Sequence, residues 1–475
     1  MRTITTEVLV VGSGAGGAVT AHTIAAAGRD VLVLEEGPWI EPGTMTPFSL
    51  EEMSAKYRHR GLAAALGSPG IAYAEGRCVG GSTEINSGLY HQLPDYLATE
   101  WERDYRIEEF GTEALARYAA WVETVLSVSH LPGAPPPSSA VLERGAAKLG
   151  WRAVEFARVF SYDREGRGTK QTMAKTLIPR AVESGARVLA DCRVDRLLRR
   201  GDRVSGARCT VHHGDGAEKE KVQIEAEHVF VCGGAIQTPA LLQRSGIRRG
   251  IGVGLKMHPT IKIAARFPHA LDHAEVPMHR VTEFAPHLTI GGSASSLGHI
   301  ALALADASAD TEHVLANWEE VFVYYAAIRS DGAGRVVALP GLAAPLVTYR
   351  LTDADMSRLA RGLLHLGEVL LASGATELYP SVVGAPIARK TGDLFAWWDA
   401  ASRRRSNLMT VHLTSSVRMG EARHRTGADS FGRIWGQENL RVNDASLLPD
   451  APGVNPQAAI MAIARRNAEQ FLTTV

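Results

Sequence analysis

The sequence predicts an α/β fold, α+β overall, because a βαβ pattern opens the chain and a long strand-rich stretch follows it. Residues 7–37 give an apolar β-branched run, a glycine-rich turn, a helix of small residues and a second apolar run, in that order. Residues 261–349 are mostly strand-like, with apolar runs at 261–265 and 321–326. A long amphipathic helix is predicted over 353–372. The chain therefore holds a βαβ region and a second region rich in strands.

The opening βαβ unit carries the glycine pattern of a dinucleotide site. Its first strand ends in G-x-G-x-x-G, and its second strand closes on Glu35. Gly12 permits the tight turn, Gly14 lets the backbone approach a pyrophosphate, and Gly17 lets helix and strand pack closely. The helix N-terminus offers that pyrophosphate free N–H groups and a partial positive charge. Glu35 is placed to accept from ribose hydroxyls, which argues against NADP, whereas NAD and FAD both stay open on these residues.

Length, charge and cysteine content narrow the class of protein. The 475 residues leave room for two or three domains of ~150 residues. Basic and acidic residues number 51 each, so nothing points to nucleic acid or an anionic membrane surface as a partner. Four cysteines without a C-x-x-C pair fit a reducing compartment and predict neither disulfides nor a metal site. No run approaches the ~18 apolar residues of a membrane span. We therefore expect a soluble, cytoplasmic protein.

Two segments upstream of residue 250 are candidates for contact with a cofactor. Residues 72–94 are dense in Gly, Ser, Thr and Asn but carry few charges, which favours a loop pressed against something flat. A strand at 228–232 runs into a Gly-Gly pair and a helix over 238–245, where Thr238 suits the N-cap and Pro239 the first helical position. Such a junction either seats a cofactor or only packs a helix closely on a strand.

Several further elements connect these motifs. A helix is expected over 49–65, and 96–128 is mostly helical with a break near Gly111. The others are a helix at 138–149 after a proline linker, a helix at 176–184, a strand at 187–190 and a β-hairpin formed by 193–198 and 206–211.

The last segment, 407–475, contains a well-specified helix start. A short strand at 440–442 precedes a polar turn, and Asn455 with Pro456 has the pattern of an N-cap followed by the first helical residue. Because proline has no N–H, Gln457 is the first donor at that end, and the helix projects a partial positive charge. If this end faces an isoalloxazine ring, it would stabilise the anionic reduced flavin.

Four blocks of residues together resemble the glucose–methanol–choline (GMC) oxidoreductases, a family of FAD-dependent alcohol oxidases and dehydrogenases. They are VVGSGAGG with Glu35, GRCVGGSTEINSGLY at 76–90, GGAIQTPALLQRSGI at 233–247, and the pair His412 and Asn455, in the family's order. The resemblance implies FAD as the cofactor. It also implies a Rossmann-like FAD-binding domain and a substrate domain built on an antiparallel sheet. The expected ranges are 1–94, 176–261 and 407–475 for the first domain and 95–175 and 262–406 for the second.

The chemistry is implied by the same resemblance. A neutral His412 takes the hydroxyl proton of a small-molecule alcohol while hydride passes to flavin N5, and Asn455 hydrogen-bonds the substrate oxygen. The electrons then pass to O₂ or another acceptor. One alternative is a non-redox flavin-containing lyase of the hydroxynitrile-lyase type on the same scaffold, and another is a flavin-bound protein without catalysis. Oxidase and dehydrogenase are not separated by sequence. Four other histidines are interpreted as structural: His258, His279, His287 and His365.

Contacts with FAD are also carried over by resemblance, and a turn or packing role stays open at each position. The expected cofactor-binding residues are Gly12, Gly14, Ala15, Gly17, Glu35, Gly80, Gly81, Ser82, Asn86, Val194, Asp444, Ala445, Asn455, Pro456 and Gln457. Some members attach FAD through a His at the position of Ile85, so non-covalent FAD is predicted. The family's H-P-x-G-T becomes H-L-T-S-S from His412 onward, so the backbone there need not follow the family's course. Candidates for lining the substrate pocket are Tyr324, Tyr325, Glu283 and His279.

Overall fold

The computed structural model describes residues 2–213, 217–273, 276–306 and 311–475. Within these ranges the two largest sheets have seven and nine strands, and helices pack on both. The first sheet has the parallel centre of a Rossmann-like domain, and the second is mainly antiparallel. The fold class predicted from the sequence is confirmed.

The seven-stranded sheet is built around the first strand of the chain. Arg2–Val11 pairs in parallel with Val31–Leu34 on one side and Glu218–Val231 on the other. Its segment 8–11 is buried, as expected for an uninterrupted apolar run in the middle of a parallel sheet. In order, the strands are Cys192–Arg200, Arg203–His212, Glu218–Val231, Arg2–Val11, Val31–Leu34 and Arg187–Leu189, and Leu440–Val442 pairs with Glu218–Val231.

Helix Ala15–Ala26 completes the βαβ unit and begins inside the glycine run. A Cβ on Gly17 would overlap the carbonyl oxygen of Gly12, and a Cβ on Gly16 would overlap that of Asn443. Glycine at both positions therefore lets the helix start directly against the strand ends. The C-terminal helix Gln457–Thr474 packs alongside it, so the two ends of the chain meet beside the first sheet.

The nine-stranded sheet forms the second region, and its central strands Thr260–Arg266 and Val321–Ile328 are antiparallel. Leu408–Thr410 and Ile71–Tyr73 pair in parallel at one side. Helix Asp353–Ala372 covers one face of the sheet, and the other face borders a large cavity. In order, the strands are Ala63–Ala65, Ile71–Tyr73, Leu408–Thr410, Thr260–Arg266, Val321–Ile328, Leu288–Gly292, His279–Val281 and Ala153–Glu155, and Glu377–Pro380 pairs with Thr260–Arg266.

The predicted domain ranges stay a prediction, although three strands bear on them. Ala63–Ala65, Ile71–Tyr73 and Leu408–Thr410 come from ranges assigned to the FAD domain, yet they pair within the second sheet. The two regions therefore share chain segments rather than meeting only at loops.

Two smaller sheets and the other helices surround this framework. One small sheet contains Leu346–Arg350, Ala333–Val337, Val253–Met257 and Leu413–Thr414, and the other contains Val128–Ser129, Arg158–Tyr162 and Gly168–Lys170. The remaining α-helices are Leu50–Lys56, Ser82–Ile85, Asp95–Tyr105, Thr112–Val125, Pro137–Leu149, Leu177–Glu183, Gly234–Arg244, Leu297–Leu304, Glu312–Ala316 and Phe395–Ala400. The short 3₁₀ helices are Arg58–Gly61, Trp318–Glu320, Thr391–Leu394 and Ala445–Leu447. The break expected near Gly111 is present.

The helix expected over 49–65 is wrong in its second half. The α-helix spans only Leu50–Lys56, and Ala63–Ala65 is a strand. Between them His59 and Arg60 take left-handed backbone angles, with φ of 51° and 56°, which an α-helix cannot contain. The apolar run at the end of this segment pairs with Ile71–Tyr73 instead.

The helix start expected at Thr238 is also wrong, because the helix begins at Gly234 and contains Pro239 in its interior. A proline there removes the N–H that the carbonyl of Ala235 would receive four residues on. The Ser416 hydroxyl donates to this carbonyl at 2.6 Å and replaces the missing bond. Thr238 is not a cap: its hydroxyl accepts from the Gly233 N–H at 2.9 Å and donates to Asp444.

Candidate active site

A cavity of about 640 Å³ lies between the two large sheets. From the first sheet and its loops it is lined by Gly12, Gly14, Ala15, Glu35, Glu36, Cys192, Val194, Gly233 and Gly234. From the loop at 76–90 it is lined by Gly81, Ser82, Ile85 and Asn86. From the second sheet and the C-terminal segment it is lined by His258, Thr260, Lys262, Arg280, Tyr325, His412, Asp444, Ala445, Asn455, Pro456 and Gln457. Most of the predicted site residues therefore border one cavity.

Glu35 lies at the end of the second strand with both carboxylate oxygens engaged. It accepts hydrogen bonds from the Ser13 N–H at 3.1 Å, the Ser13 hydroxyl at 2.6 Å and the Gly37 N–H at 3.0 Å. Burial raises the pKa of Glu35, and the bonds from Ser13 and Gly37 oppose that shift. A carboxylate offers about four acceptor positions, so one is left for a ribose hydroxyl.

The glycine turn and the loop at 76–90 touch each other beneath the cavity. The Gly80 N–H donates to the Ser13 hydroxyl at 3.1 Å. A Cβ on Gly81 would lie 2.8 Å from the Cα of Gly14, so this contact needs glycine at position 81. Gly17 and Gly80, both predicted cofactor contacts, are not among the residues that line the cavity. They hold the two loops in place instead.

Asp444 is buried beside the strand-to-helix junction at 233–234. Its carboxylate accepts from the N–H groups of Gly234 and Ser446, both at 2.8 Å, and from the hydroxyls of Thr238 and Ser446. Burial raises the pKa of Asp444, and these bonds oppose it. Gly233 and Gly234 line the cavity while Asp444 fixes their backbone, and a contact with the cofactor at this junction stays a prediction.

His412 is in hydrogen-bonding contact with a second histidine. The Nδ1 atoms of His258 and His412 lie 2.8 Å apart with the two rings perpendicular. The Gly453 N–H donates to Nε2 of His258 at 2.9 Å. His258 was expected to be structural, and its side chain is indeed satisfied, but it lines the same cavity as His412. It therefore belongs to the site.

These contacts favour one position for the proton on each ring. Because Nε2 of His258 accepts from Gly453, a neutral His258 must be protonated on Nδ1 and must donate to Nδ1 of His412. A neutral His412 then carries its own proton on Nε2. In this arrangement His412 offers the cavity a hydrogen-bond donor.

Both histidines are held in the neutral form. Burial lowers the pKa of His258 to about 3, and the positive charges of Arg280 and Arg329 contribute. Burial lowers the pKa of His412 well below its usual range, and His258 and Arg280 contribute in that order. At neutral pH neither ring is charged in the free protein.

Asn455 is oriented by a buried arginine. Nη2 of Arg280 donates to Oδ1 of Asn455, and Arg280 is 3% exposed. A guanidinium can only donate, so this contact assigns the amide oxygen to the Arg280 side and leaves the NH₂ group as a donor for another partner. Among the described residues, Nε of Arg280 has no hydrogen-bond partner.

The start of the last helix differs slightly from the expectation. Pro456 is the N-cap and Gln457 the first helical residue, so Asn455 lies one residue before the cap, with its side chain bound to Arg280. Nδ2 of Asn86 donates to Oε1 of Gln457, which ties the loop at 76–90 to this helix end.

Of the four residues suggested for the substrate pocket, only Tyr325 lines the cavity. Tyr324 points to the other face of the same strand, where its hydroxyl donates to the Ser138 carbonyl at 2.9 Å. Glu283 accepts from the Arg152 N–H at 3.1 Å, and Nε2 of His279 lies 4.0 Å from a Glu143 oxygen, both away from the cavity. Those three predictions are wrong.

Sequence reasoning missed Arg280 and Lys262 and gave His258 only a structural role. No local pattern marks Arg280, and Lys262 lies in an apolar strand where a lysine suggests only an edge or a solvent-facing position. A charged residue inside an otherwise buried strand, at 262, was the one available signal.

Comparison with known proteins decides the family. Residues 7–260 match the N-terminal part of the family described as GMC oxidoreductase, and residues 337–464 match its C-terminal part. The chain belongs to the GMC oxidoreductases. The family identified from the sequence blocks is confirmed, and with it FAD as the cofactor and an oxidoreductase that acts on alcohols in the general sense.

Relatives of this GMC oxidoreductase match it along nearly its whole length. An uncharacterized GMC-type oxidoreductase from Sinorhizobium fredii is 39% identical, covering 98% of this chain and 94% of the relative. A long-chain-alcohol oxidase from Arabidopsis thaliana is 26% identical, covering 96% of this chain and 65% of the relative.

Solved structures share the fold. Pyridoxine 4-oxidase from Mesorbium loti superposes with a TM-score of 0.73 at 19% identity, covering 98% of this chain and 99% of that one. A formate oxidase variant from Aspergillus oryzae superposes with a TM-score of 0.76 at 15% identity, covering 99% of this chain and 98% of that one.

None of the helices in the described part of the chain has the length and apolar character that a membrane span needs.

Proposed function

We propose that this GMC oxidoreductase oxidises the CH–OH group of a small-molecule alcohol to an aldehyde or ketone and passes the electrons to O₂ or another acceptor. We assign His412 as the proton acceptor and Asn455 as the hydrogen-bond donor to the substrate oxygen. The observation that carries this assignment is that both side chains border the same cavity, each held by a buried partner, His258 or Arg280.

The cavity fits FAD along its length. It runs from the glycine turn at 12–16 and Glu35, which suit the ADP half, to His412 and Asn455, which suit the flavin end. Bound FAD supplies the hydride acceptor. The other expected contacts, from Gly81 and Ser82 to Gln457, stay proposals supported by their place in the lining. The side chain at position 85 is an isoleucine that cannot form the bond, so we propose non-covalent FAD.

For His412 to accept a proton, its Nε2 must be free of one. The contact from Gly453 to His258 favours the opposite tautomer, so the base form needs His412 to carry its proton on Nδ1 and donate to His258. His258 then holds its proton on Nε2 and Gly453 must find another acceptor. The histidine pair therefore has two neutral arrangements, one that donates to the substrate oxygen and one that accepts its proton.

Asn455 is suited to hold the substrate oxygen throughout. Arg280 occupies its carbonyl oxygen, so its NH₂ group remains to donate. A hydrogen bond to that oxygen keeps the hydroxyl directed at His412 and strengthens as the oxygen gains negative charge. The start of helix Gln457–Thr474, immediately after Asn455, adds a partial positive charge at the same end of the cavity.

The test is anaerobic mixing of the FAD-loaded protein with a panel of alcohols while the flavin absorbance is followed. We expect bleaching by at least one alcohol class and a reduction rate ~100-fold or more lower in H412A. H365A is the matched control, because His365 pairs with Glu368 away from the cavity. Bleaching of H412A at the wild-type rate would remove His412 from its assigned role. Turnover of a cyanohydrin with no bleaching would instead indicate the lyase activity.

The same samples test the remaining parts of the proposal. Admitting air after bleaching shows whether O₂ accepts the electrons, since an oxidase regains its colour and forms peroxide. Acid precipitation should leave all the flavin in the supernatant, as non-covalent FAD requires. Flavin retained in the pellet would contradict that assignment.

A further inference from the structure

We infer that the alcohol substrate carries a carboxylate some distance from its hydroxyl group and that Lys262 binds this carboxylate; the inference rests on the proposed alcohol oxidation. Lys262 lies in strand Thr260–Arg266, on the face that borders the cavity. Its neighbours Ile261 and Ile263 point the other way, into the core beneath helix Asp353–Ala372. The strand therefore presents an ammonium group to the cavity wall.

This ammonium has no acidic partner within the described part of the chain. Desolvation by the surrounding protein lowers the pKa of Lys262 to about 8, and no nearby carboxylate raises it again. Asp306 also borders the cavity, but Nδ2 of Asn407 donates to its carboxylate at 2.9 Å. An unpaired, poorly solvated cation is unfavourable, and an anionic ligand would relieve it.

The surroundings of Lys262 suit a carboxylate. Tyr325 stands directly opposite it on the neighbouring strand and also lines the cavity. Its hydroxyl reaches across to Gly291, whose missing side chain leaves that space: a Cβ there would lie 2.6 Å from the Tyr325 oxygen. His299 is nearby, and burial together with the charge of Lys262 lowers its pKa to about 4, so it is neutral. The Tyr325 hydroxyl therefore lies on the side of its strand away from Lys262, and the ammonium of Lys262 is the group that would bind a carboxylate.

The position of Lys262 sets the length of the substrate. Lys262 follows His258 by four residues, so their Cα atoms are at most about 13 Å apart, the length of a fully extended chain. His258 contacts His412, so the oxidised carbon and the carboxylate would lie at different points along the cavity. This geometry favours ω-hydroxy acids and (hydroxymethyl)arene carboxylates over α-hydroxy acids.

The test compares acid and amide pairs of the same shape in the FAD-loaded protein. The pairs are 4-(hydroxymethyl)benzoate with 4-(hydroxymethyl)benzamide, and 6-hydroxyhexanoate with its amide. In anaerobic flavin reduction we expect the wild type to favour the acid at least ~10-fold in the ratio of reduction rate to Kd. K262M should abolish that preference, and K262R should retain most of it. No acid preference in the wild type, or a preference that survives in K262M, would overturn the inference.

A binding measurement separates this inference from the proposed function. 4-Methylbenzoate has no hydroxyl group to oxidise, and its binding can be followed by perturbation of the flavin spectrum, with 4-methylbenzamide as the neutral control. We expect the benzoate to bind at least ~10-fold more tightly to the wild type than to K262M. If neutral alcohols reduce the flavin but benzoate binding is the same in both proteins, only the role of Lys262 fails. If benzoate binding depends on Lys262 but no alcohol of either charge reduces the flavin, only the oxidation fails.

Discussion

His258 and His412 approach each other through their Nδ1 atoms at 2.8 Å, and the Gly453 N–H caps the far nitrogen of His258 at 2.9 Å. Three groups from distant parts of the chain therefore determine which nitrogen of His412 faces the cavity with a proton. An imidazole that changes tautomer within this pair can donate to a substrate oxygen in one arrangement and accept its proton in the other, and the pair then carries the positive charge of that proton. This relationship makes His258 a positioning residue in the proposed oxidation.

Replacing His258 by leucine removes the partner of His412 and leaves its tautomer unconstrained. We expect the rate of flavin reduction by an alcohol to fall ~10-fold or more, with FAD content unchanged. The acid limb of the pH profile should also move to higher pH, because His258 contributes to lowering the pKa of His412 and the variant removes that contribution. H279L is the control, since His279 is a buried histidine away from the cavity. Equal rates in H258L and H279L would rule out the positioning role.

Replacing Arg280 by methionine tests the charge next to the histidine pair. Arg280 contributes to lowering the pKa of both His258 and His412, so its loss should raise the pKa of His412 toward the usual ~6.5. The neutral ring is the active form. As the pH is lowered, the ratio of the flavin reduction rate to Kd should therefore begin to fall at a higher pH in R280M than in the wild type.

The matched variants for Arg280 are R280K and R441M. R280K keeps the positive charge and should keep the wild-type pH profile, although it cannot reproduce the same contact with Asn455. Arg441 is a buried arginine over the rings of Phe230 and Phe471, outside the cavity lining, and R441M should leave the profile unchanged. An R280M profile identical to the wild type would show that its charge does not act on His412.

The parts of the protein that follow local patterns were predictable from sequence. The βαβ unit is such a part. Its buried strands, its glycine turn and Glu35 lie within one stretch of 31 residues, and the two strands pair with each other. The fold of that unit and the family blocks could therefore be found without coordinates. Domain ranges were harder, because Leu408–Thr410 joins the second sheet through pairing that no local pattern encodes.

The site residues that sequence reasoning missed depend on contacts between distant segments. His258 is 154 residues from His412, and Arg280 is 175 residues from Asn455. Tyr324 and Tyr325 were both candidates for the pocket, but successive strand residues face opposite sides, and which one faces the cavity depends on the face that helix Asp353–Ala372 covers. At Asn455 the local preference for an N-cap gave way to the contact with Arg280, and the cap moved to Pro456.

Removing the Ser416 hydroxyl should destabilise the helix that contains Pro239, because the Ala235 carbonyl then has no hydrogen-bond donor. Ser416 donates to the Ala235 carbonyl at 2.6 Å in place of the absent N–H, and both groups are buried. S416A leaves that carbonyl without a donor, which costs ~1–3 kcal/mol. P239A restores an N–H, so S416A should lower the Tm less in the P239A background than in the wild type. Thermal unfolding at one fixed FAD concentration measures the difference, since ligand shifts Tm. Equal losses in both backgrounds would refute the compensation.

Replacing Lys262 by methionine should stabilise the ligand-free protein, because it removes an ammonium that has no acidic partner among the described residues. The pKa of Lys262 falls from 10.5 to about 8, which corresponds to a free energy on the order of 3 kcal/mol. A lowered lysine pKa means that the folded state disfavours the charged form. The destabilisation of the folded protein by Lys262 is therefore greatest below pH 8 and decreases as the pH rises from about 8 to about 10.5. The Tm advantage of K262M should therefore be large at pH 7 and shrink toward pH 10.

Lys170 is the matched control for that comparison. Burial also lowers its pKa to about 8, but its ammonium donates to the carbonyls of Glu84 and Asn86, both at 2.8 Å. K170M leaves two carbonyls without their donor and should lower the Tm, so two lysines with the same pKa should respond in opposite directions. If K262M is destabilising at pH 7 as well, Lys262 has a partner in the folded protein and is not available to a carboxylate.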